Sequence, residues 1–110
     1  MATTFKILGQ VAPALNTANT VYTVPGGTSA VISTINICNP DSLTRAIRVA
    51  AVPSGNTLAQ KHYIAYETPI AATDSVALSI GLTLAAGDFI SVYANSTSNV
   101  SFGIFGSEIT

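Results

Sequence analysis

Apolar and hydroxyl-bearing residues alternate along this chain with a period of two, in short runs closed by Gly, Pro, Asn or Asp. A period of two places successive side chains on opposite faces of an extended backbone, so the pattern predicts strands. They fall at residues 4–8, 20–24, 29–38, 44–52, 62–66, 74–80, 88–94 and 99–105, and no long stretch carries helical spacing. About eight short strands with turn signals at steady intervals are the rhythm of a sandwich or barrel.

Within the strands the alternation assigns faces. In the third, Val31, Ser33, Ile35 and Ile37 share one side, and Ile32, Thr34, Asn36 and Cys38 the other. In the fourth, Arg45 and Arg48 fall on opposite faces, so at least one must reach water, the rim or a partner. Val76, Leu78 and Ile80 form an inward row in the sixth; Val100, Phe102 and Ile104 do so in the last, leaving Phe105 on the far side for a subunit contact. The turns are well specified. Val24-Pro25-Gly26-Gly27, Asn39-Pro40-Asp41-Ser42, Pro53-Ser54-Gly55-Asn56 and Ala86-Gly87-Asp88 combine residues that preset φ with residues that tolerate a positive one. Residues 10–19 are small and aperiodic, which suits an extended arm or a long loop.

Composition changes the picture at the surface. The 110 residues make one domain, residues 1–110, and 48% are hydrophobic, but only 8% are charged against about 25% in a typical globular protein. Ser, Thr, Asn, Ala and Gly must therefore cover the outside, and with a net charge of −1 this skin does little to repel its own kind. That favours a protein covered by neighbours. Lys6, Arg45, Arg48 and Lys61 are scattered among five acidic residues, so no basic stripe for nucleic acid exists. Met1-Ala2-Thr3-Thr4-Phe5-Lys6 lacks the apolar core of a signal peptide, and no run approaches the roughly 18 apolar residues of a membrane span. A protein made in the cytoplasm is the expectation. Cys38, without a second cysteine, reads as a small buried hydrophobe.

Candidate chemistry is sparse. Titratable and aromatic residues bunch only in Lys61-His62-Tyr63-Ile64-Ala65-Tyr66-Glu67, where His62 has no second histidine and no nucleophile motif beside it. Two packed tyrosines on a strand explain this segment without a site. Asp41, Glu67, Asp74, Asp88 and Glu108 have no ligand spacing, and Asp74 and Asp88 read as turn residues that accept backbone N–H groups. The sequence thus offers no catalytic, cofactor-binding or metal-binding residues. The sequons Asn95-Ser96-Thr97 and Asn99-Val100-Ser101 are discounted because nothing leads the chain to a secretory compartment.

Four segments carry a resemblance. They are Tyr22-Thr23-Val24-Pro25-Gly26-Gly27-Thr28-Ser29-Ala30-Val31, Ile35-Asn36-Ile37-Cys38-Asn39, Lys61-His62-Tyr63-Ile64-Ala65-Tyr66 and Phe102-Gly103-Ile104-Phe105-Gly106-Ser107-Glu108-Ile109. They resemble small virion structural proteins of tailed bacteriophages, including cyanophages. Leu82-Thr83-Leu84-Ala85-Ala86-Gly87-Asp88-Phe89-Ile90-Ser91-Val92-Tyr93 resembles the approach to the final strand in trimeric jelly-roll heads. These resemblances imply an all-β, two-sheet antiparallel sandwich of jelly-roll type and a homo-oligomer, a trimer being favoured. They also imply a place in the virion beside the major capsid protein or other virion proteins. A capsid decoration, or cement, protein is the leading expectation. A tail fibre, baseplate or neck protein whose Tyr63 and Tyr66 region meets a host glycan is the alternative. A carbohydrate-active enzyme using Glu67 or Asp88 is disfavoured, since no paired carboxylates can be found.

Overall fold

The computed structural model describes residues 2–96 and 99–110. Thr97 of the first sequon and Met1 of the N-terminal stretch lie outside the described residues. Among the described residues nine strands form: β1 Thr3–Val11, β2 Asn19–Thr23, β3 Ser29–Asn39, β4 Arg45–Val52, β5 Tyr63–Ile70, β6 Asp74–Leu78, β7 Leu82–Leu84, β8 Phe89–Ala94 and β9 Ser101–Ile109. Helix among the described residues is confined to a 3₁₀ turn at Gln60–His62.

The strands divide into two sheets in which every pairing is antiparallel. Sheet A runs β1-β9-β3-β6, with β7 also on β3, and sheet B runs β2-β8-β4-β5. Counting β6 and β7 as one interrupted strand, successive strands alternate between the sheets except at β4 and β5, which pair within sheet B, and this is the order of a jelly roll. Between the sheets lies one core of Ile32, Ile35, Ile37, Ile47, Val49, Ile90, Val92, Phe102 and Ile104, each at most 1% exposed. These β-branched and aromatic residues suit a pleated surface buried on one side.

Four differences from the sequence pattern have physical causes. A bulge between Ile32 and Thr34 shifts the parity of β3, so Ile32 turns inward together with Ile35 and Ile37. Ser33 Oγ closes that bulge by donating to the Phe105 carbonyl at 3.1 Å. The strand expected over 74–80 splits, because Gly81 at φ 57 turns the chain before β7; Val76 and Leu78 still pack inward, but Ile80 is exposed. His62 belongs to the 3₁₀ turn and precedes β5. Residues 10–19 form no free arm. Gln10 and Val11 end β1, Asn19 opens β2, and the loop between lies on β8 through Asn16 N–H to Ala94 O and Tyr93 Oη–H to Asn16 Oδ1.

The turns behave as their chemistry predicts. Gly27 and Gly55 take φ 70 and 79, and the Asp88 carboxylate accepts the N–H groups of Ser54 and Ala85. Asn39 is wholly buried at the start of its turn, its amide nitrogen 3.0–3.1 Å from the carbonyls of Leu43, Ile70 and Ala71.

Candidate functional site

A jelly roll offers two outer sheet faces, four sheet edges and two loop ends for contact. The edges are blunted. On β1, Lys6 and a bulge at Leu8 interrupt the free side; β2 is five residues long with a bulge at Val21. On β5, Pro69 removes a donor and Glu67 adopts φ 51; the fourth edge is cut between β6 and β7. Interrupted, charged or proline-bearing edges resist strand addition, which leaves faces and loop ends as contact surfaces.

The outer face of sheet B carries the aromatic cluster that the sequence singled out. Two β5 residues, Tyr66 and Glu67, oppose the single β4 residue Arg48, because the register skips between Ile47–Thr68 and Val49–Ala65. That bulge brings the Tyr66 ring and the Glu67 carboxylate to one guanidinium. The Arg48 guanidinium lies 4.6 Å from the Tyr66 ring centroid and 4.1 Å from that of Tyr93, and pairs with Glu67. Glu67, more than the tyrosines, raises the Arg48 pKa and keeps it charged. Tyr63 meets Tyr66 edge to face, centroids 4.9 Å apart and rings at 69°. His62 is buried beside this strand and accepts the Ala59 N–H at Nδ1, 3.0 Å away. The Arg48 charge and both ring faces are thus engaged, whereas Arg48 Nε and His62 Nε2 are buried without a hydrogen-bond partner.

The other charges sit at the ends of the sandwich. Glu108 accepts Tyr22 Oη–H at 2.6 Å and pairs with Lys6 at 2.7 Å; Lys6 first and Tyr22 second hold its carboxyl below the ordinary range. Burial, reinforced by Glu108, pushes the Tyr22 phenol well up. At the opposite end Arg45 grips Asp41 at 2.7 Å and the Asn95 carbonyl at 3.1 Å, and lowers the Asp41 pKa. Both arginines are thus tied down, one at the rim and one on a face. Asp74 opens β6 and Asp88 precedes β8, both as turn acceptors. Among the described residues no three His, Cys, Asp or Glu side chains gather as a metal site would need.

The strand rows of the outer face of sheet A carry no ionisable side chain other than the Cys38 thiol, and Asp88 lies only at the end of that face. Residues directly opposed in an antiparallel ladder share a face, so the registers read off its rows. They are Thr3, Ile109, Ser29; then Phe5, Ser107, Val31, Thr83; then Ile7, Phe105, Thr34; then Gln10, Gly103, Asn36, Ala77; then Ser101, Cys38, Ser75. Phe5 is 82% exposed and Ile7 56%, with Val31 and Phe105 half-buried beside them. Next to this apolar strip lies a hollow of about 390 Å³, bounded by Gln10, Asn36, Ser101, Gly103 and Phe105. Glycine at 103 lets the Phe105 ring lie close over the backbone there: a Cβ would stand 2.9 Å from Cε2 of that ring.

Sequence reasoning placed Phe105 outward but missed Phe5 and Ile7. The signal was Lys6 between them. An alternating strand with lysine at its centre is ordinarily read with the lysine in water, whereas here Lys6 shares the inner row with Gly106 and Ile32 and reaches Glu108. The two aromatic and aliphatic neighbours are therefore turned outward.

No family model matches this chain, and no curated protein matches it. A solved structure described as "Structure of infectious bursal disease virus Gx strain" is similar at a TM-score of 0.48 and 8% identity, over 97% of this chain and 30% of that one.

Proposed function

We propose that this protein is a non-enzymatic structural subunit of a virion. Its function is to be packed against other proteins, as a decoration, or cement, protein on the outside of a capsid. The observation that carries the reading is the outer face of sheet A, four strands wide, with no charge along its strand rows and bearing exposed Phe5 and Ile7. A soluble monomer keeps charges on such a face, and contiguous exposed apolar surface marks a site of association. Three features add support. The sequence resembles phage virion proteins, the jelly-roll order is one that capsid domains use, and the blunted edges direct association to faces and loop ends. Leu15 and Leu43, 50% and 58% exposed on the β1–β2 and β3–β4 loops, give one loop end two apolar tips for a capsid surface.

Cryo-electron microscopy with quantitative mass spectrometry of purified particles tests this. Hundreds of copies on the head support decoration; absence from the particle refutes the structural role.

Tyr66 favours one second reading, a tail component that holds a host glycan. Its ring is 47% exposed and braced from behind by Arg48 and Tyr63, a rigid aromatic platform against which a sugar ring can lie. A handful of copies at the tail, with glycan binding lost in Tyr66→Ala, would favour it over decoration.

A further inference from the structure

From the outer face of sheet A we infer that the protein's first partner is a second copy of itself, joined face to face about a two-fold axis with Phe5 of each copy seated in the Gly103 hollow of the other. This deepens the structural-subunit reading, and it rests on that reading for its purpose but not for its geometry.

Three observations identify the occupant. The first is charge. A face that meets its own copy places like groups near like groups, so any net charge on it would repel. Its rows from Thr3 to Cys38 have no ionisable side chain except the Cys38 thiol, with Asp88 only at the far end, whereas sheet B's face carries Arg48 and Glu67 at its middle. The second is shape. Phe5 is a projecting ring on β1, and the hollow lies two rows further along, in the row of Gln10 and Gly103. A two-fold axis in the plane of the face, crossing the strands between those rows, carries each ring over the other hollow. There it meets the Phe105 ring and the Gly103 backbone, and no ionisable group lines the site. The hollow at the far end of the same face, about 430 Å³ beside Val31 and Ile109, includes Asp88 and would bury a carboxylate under the ring.

The third is area. Four strands about 4.8 Å apart and nine residues of about 3.4 Å give a plane of roughly 600 Å², hence on the order of 1,200 Å² for a pair. That reaches the lower bound of specific stable interfaces. Association then depends on a central aromatic anchor more than on extent. A reciprocal pair follows because knob and hollow share one face; the loop tips at Leu15 and Leu43 stay free for the particle surface.

Sedimentation or light scattering of the purified chain at roughly 100 μM, above the micromolar end of what such an area supports, reads the state directly. A mass of two 11.2-kDa chains is expected, with association weakened about 30-fold or more by Phe5→Ala. Phe5 is so exposed that this variant keeps its fold, which circular dichroism checks. In a Cys38→Ser background, chains bearing Phe5→Cys are mixed with chains bearing Ser101→Cys. A disulfide-linked pair is expected, and none with chains bearing Thr83→Cys. A monomer at that concentration, a dimer indifferent to Phe5→Ala, or crosslinking to position 83 overturns the inference. A monomer abundant on heads would refute the pairing and leave the virion role standing; a dimer absent from particles would do the reverse.

Discussion

Single residues tie the two sheets together in ways that titration exposes. Tyr22 of β2 donates to Glu108 of β9, so one hydrogen bond spans the sandwich while Lys6 supplies the countercharge. Burial and the adjacent carboxylate raise the Tyr22 pKa above its ordinary 10.0. Above about pH 10 the unfolded chain therefore releases a proton that the folded chain keeps, and stability falls as pH rises. Tyr22→Phe is expected to flatten that alkaline limb in urea titrations at successive pH values. Glu108 is shifted down from its ordinary 4.5 by Lys6 and Tyr22, so below about pH 4.5 the unfolded chain takes up a proton that the folded chain refuses. Stability falls with pH there, and Glu108→Gln is expected to flatten the acid limb.

Asn39 stakes more on one side chain. Its fully buried amide serves the Leu43, Ile70 and Ala71 carbonyls and its Oδ1 accepts the Asp41 N–H, locking two loops to the end of β3. Unsatisfied buried groups cost about 1–3 kcal/mol each, so Asn39→Ala is expected to lose about 2–4 kcal/mol in urea denaturation. The sequence marked Asn39 as a turn residue from its proline neighbour. Leu43 is four residues on in the same turn, but the Ile70 and Ala71 carbonyls are 31 and 32 residues away, and local turn chemistry carries no information about them.

At the scale of elements, strand number and kind were legible because half-buried antiparallel strands announce themselves by alternation. What alternation cannot show is where it breaks. Ser33 and Glu67 mark bulges in β3 and β5, and each changes the face of every residue beyond it until another bulge restores the parity. That is why Ile32 joins Ile35 and Ile37 in the core, although the period sets them apart, and why Tyr66 and Glu67 both serve Arg48. Gly106 belongs to the same bulge: its α-carbon faces the β3 backbone so closely that a Cβ would stand 2.0 Å from the Val31 carbonyl oxygen. A backbone atom cannot swing aside as a side-chain tip can. Gly106→Ala is expected to part β9 from β3, destabilising by more than about 3 kcal/mol or preventing folding. Gly26→Ala, where a Cβ meets nothing within 4 Å, is the matched control and is expected within about 0.5 kcal/mol of the parent. Thermal denaturation of the two variants side by side reads the contrast.

For the whole molecule the decisive property is where charge is absent. Composition revealed a chain with 8% charged residues; it did not reveal that these collect at the sandwich ends and on one sheet, leaving the other face bare. Only the strand order, which brings β1, β9 and β3 side by side, creates that face from three distant segments. The distribution has a measurable consequence. Contacts steered or held by ions weaken as salt shortens the Debye length from about 10 Å at 0.1 M to about 3 Å at 1 M. Contacts between uncharged faces have nothing to screen, and burial of Phe5 and Ile7 persists or strengthens in salts excluded from apolar surface. Self-association of the purified protein is therefore expected to hold its dissociation constant within about threefold from roughly 0.05 to 1 M NaCl, measured by sedimentation. A tenfold weakening over that range would place the contact on the Arg48–Glu67 side of the molecule, because that is the outer sheet face on which ions are available to be screened.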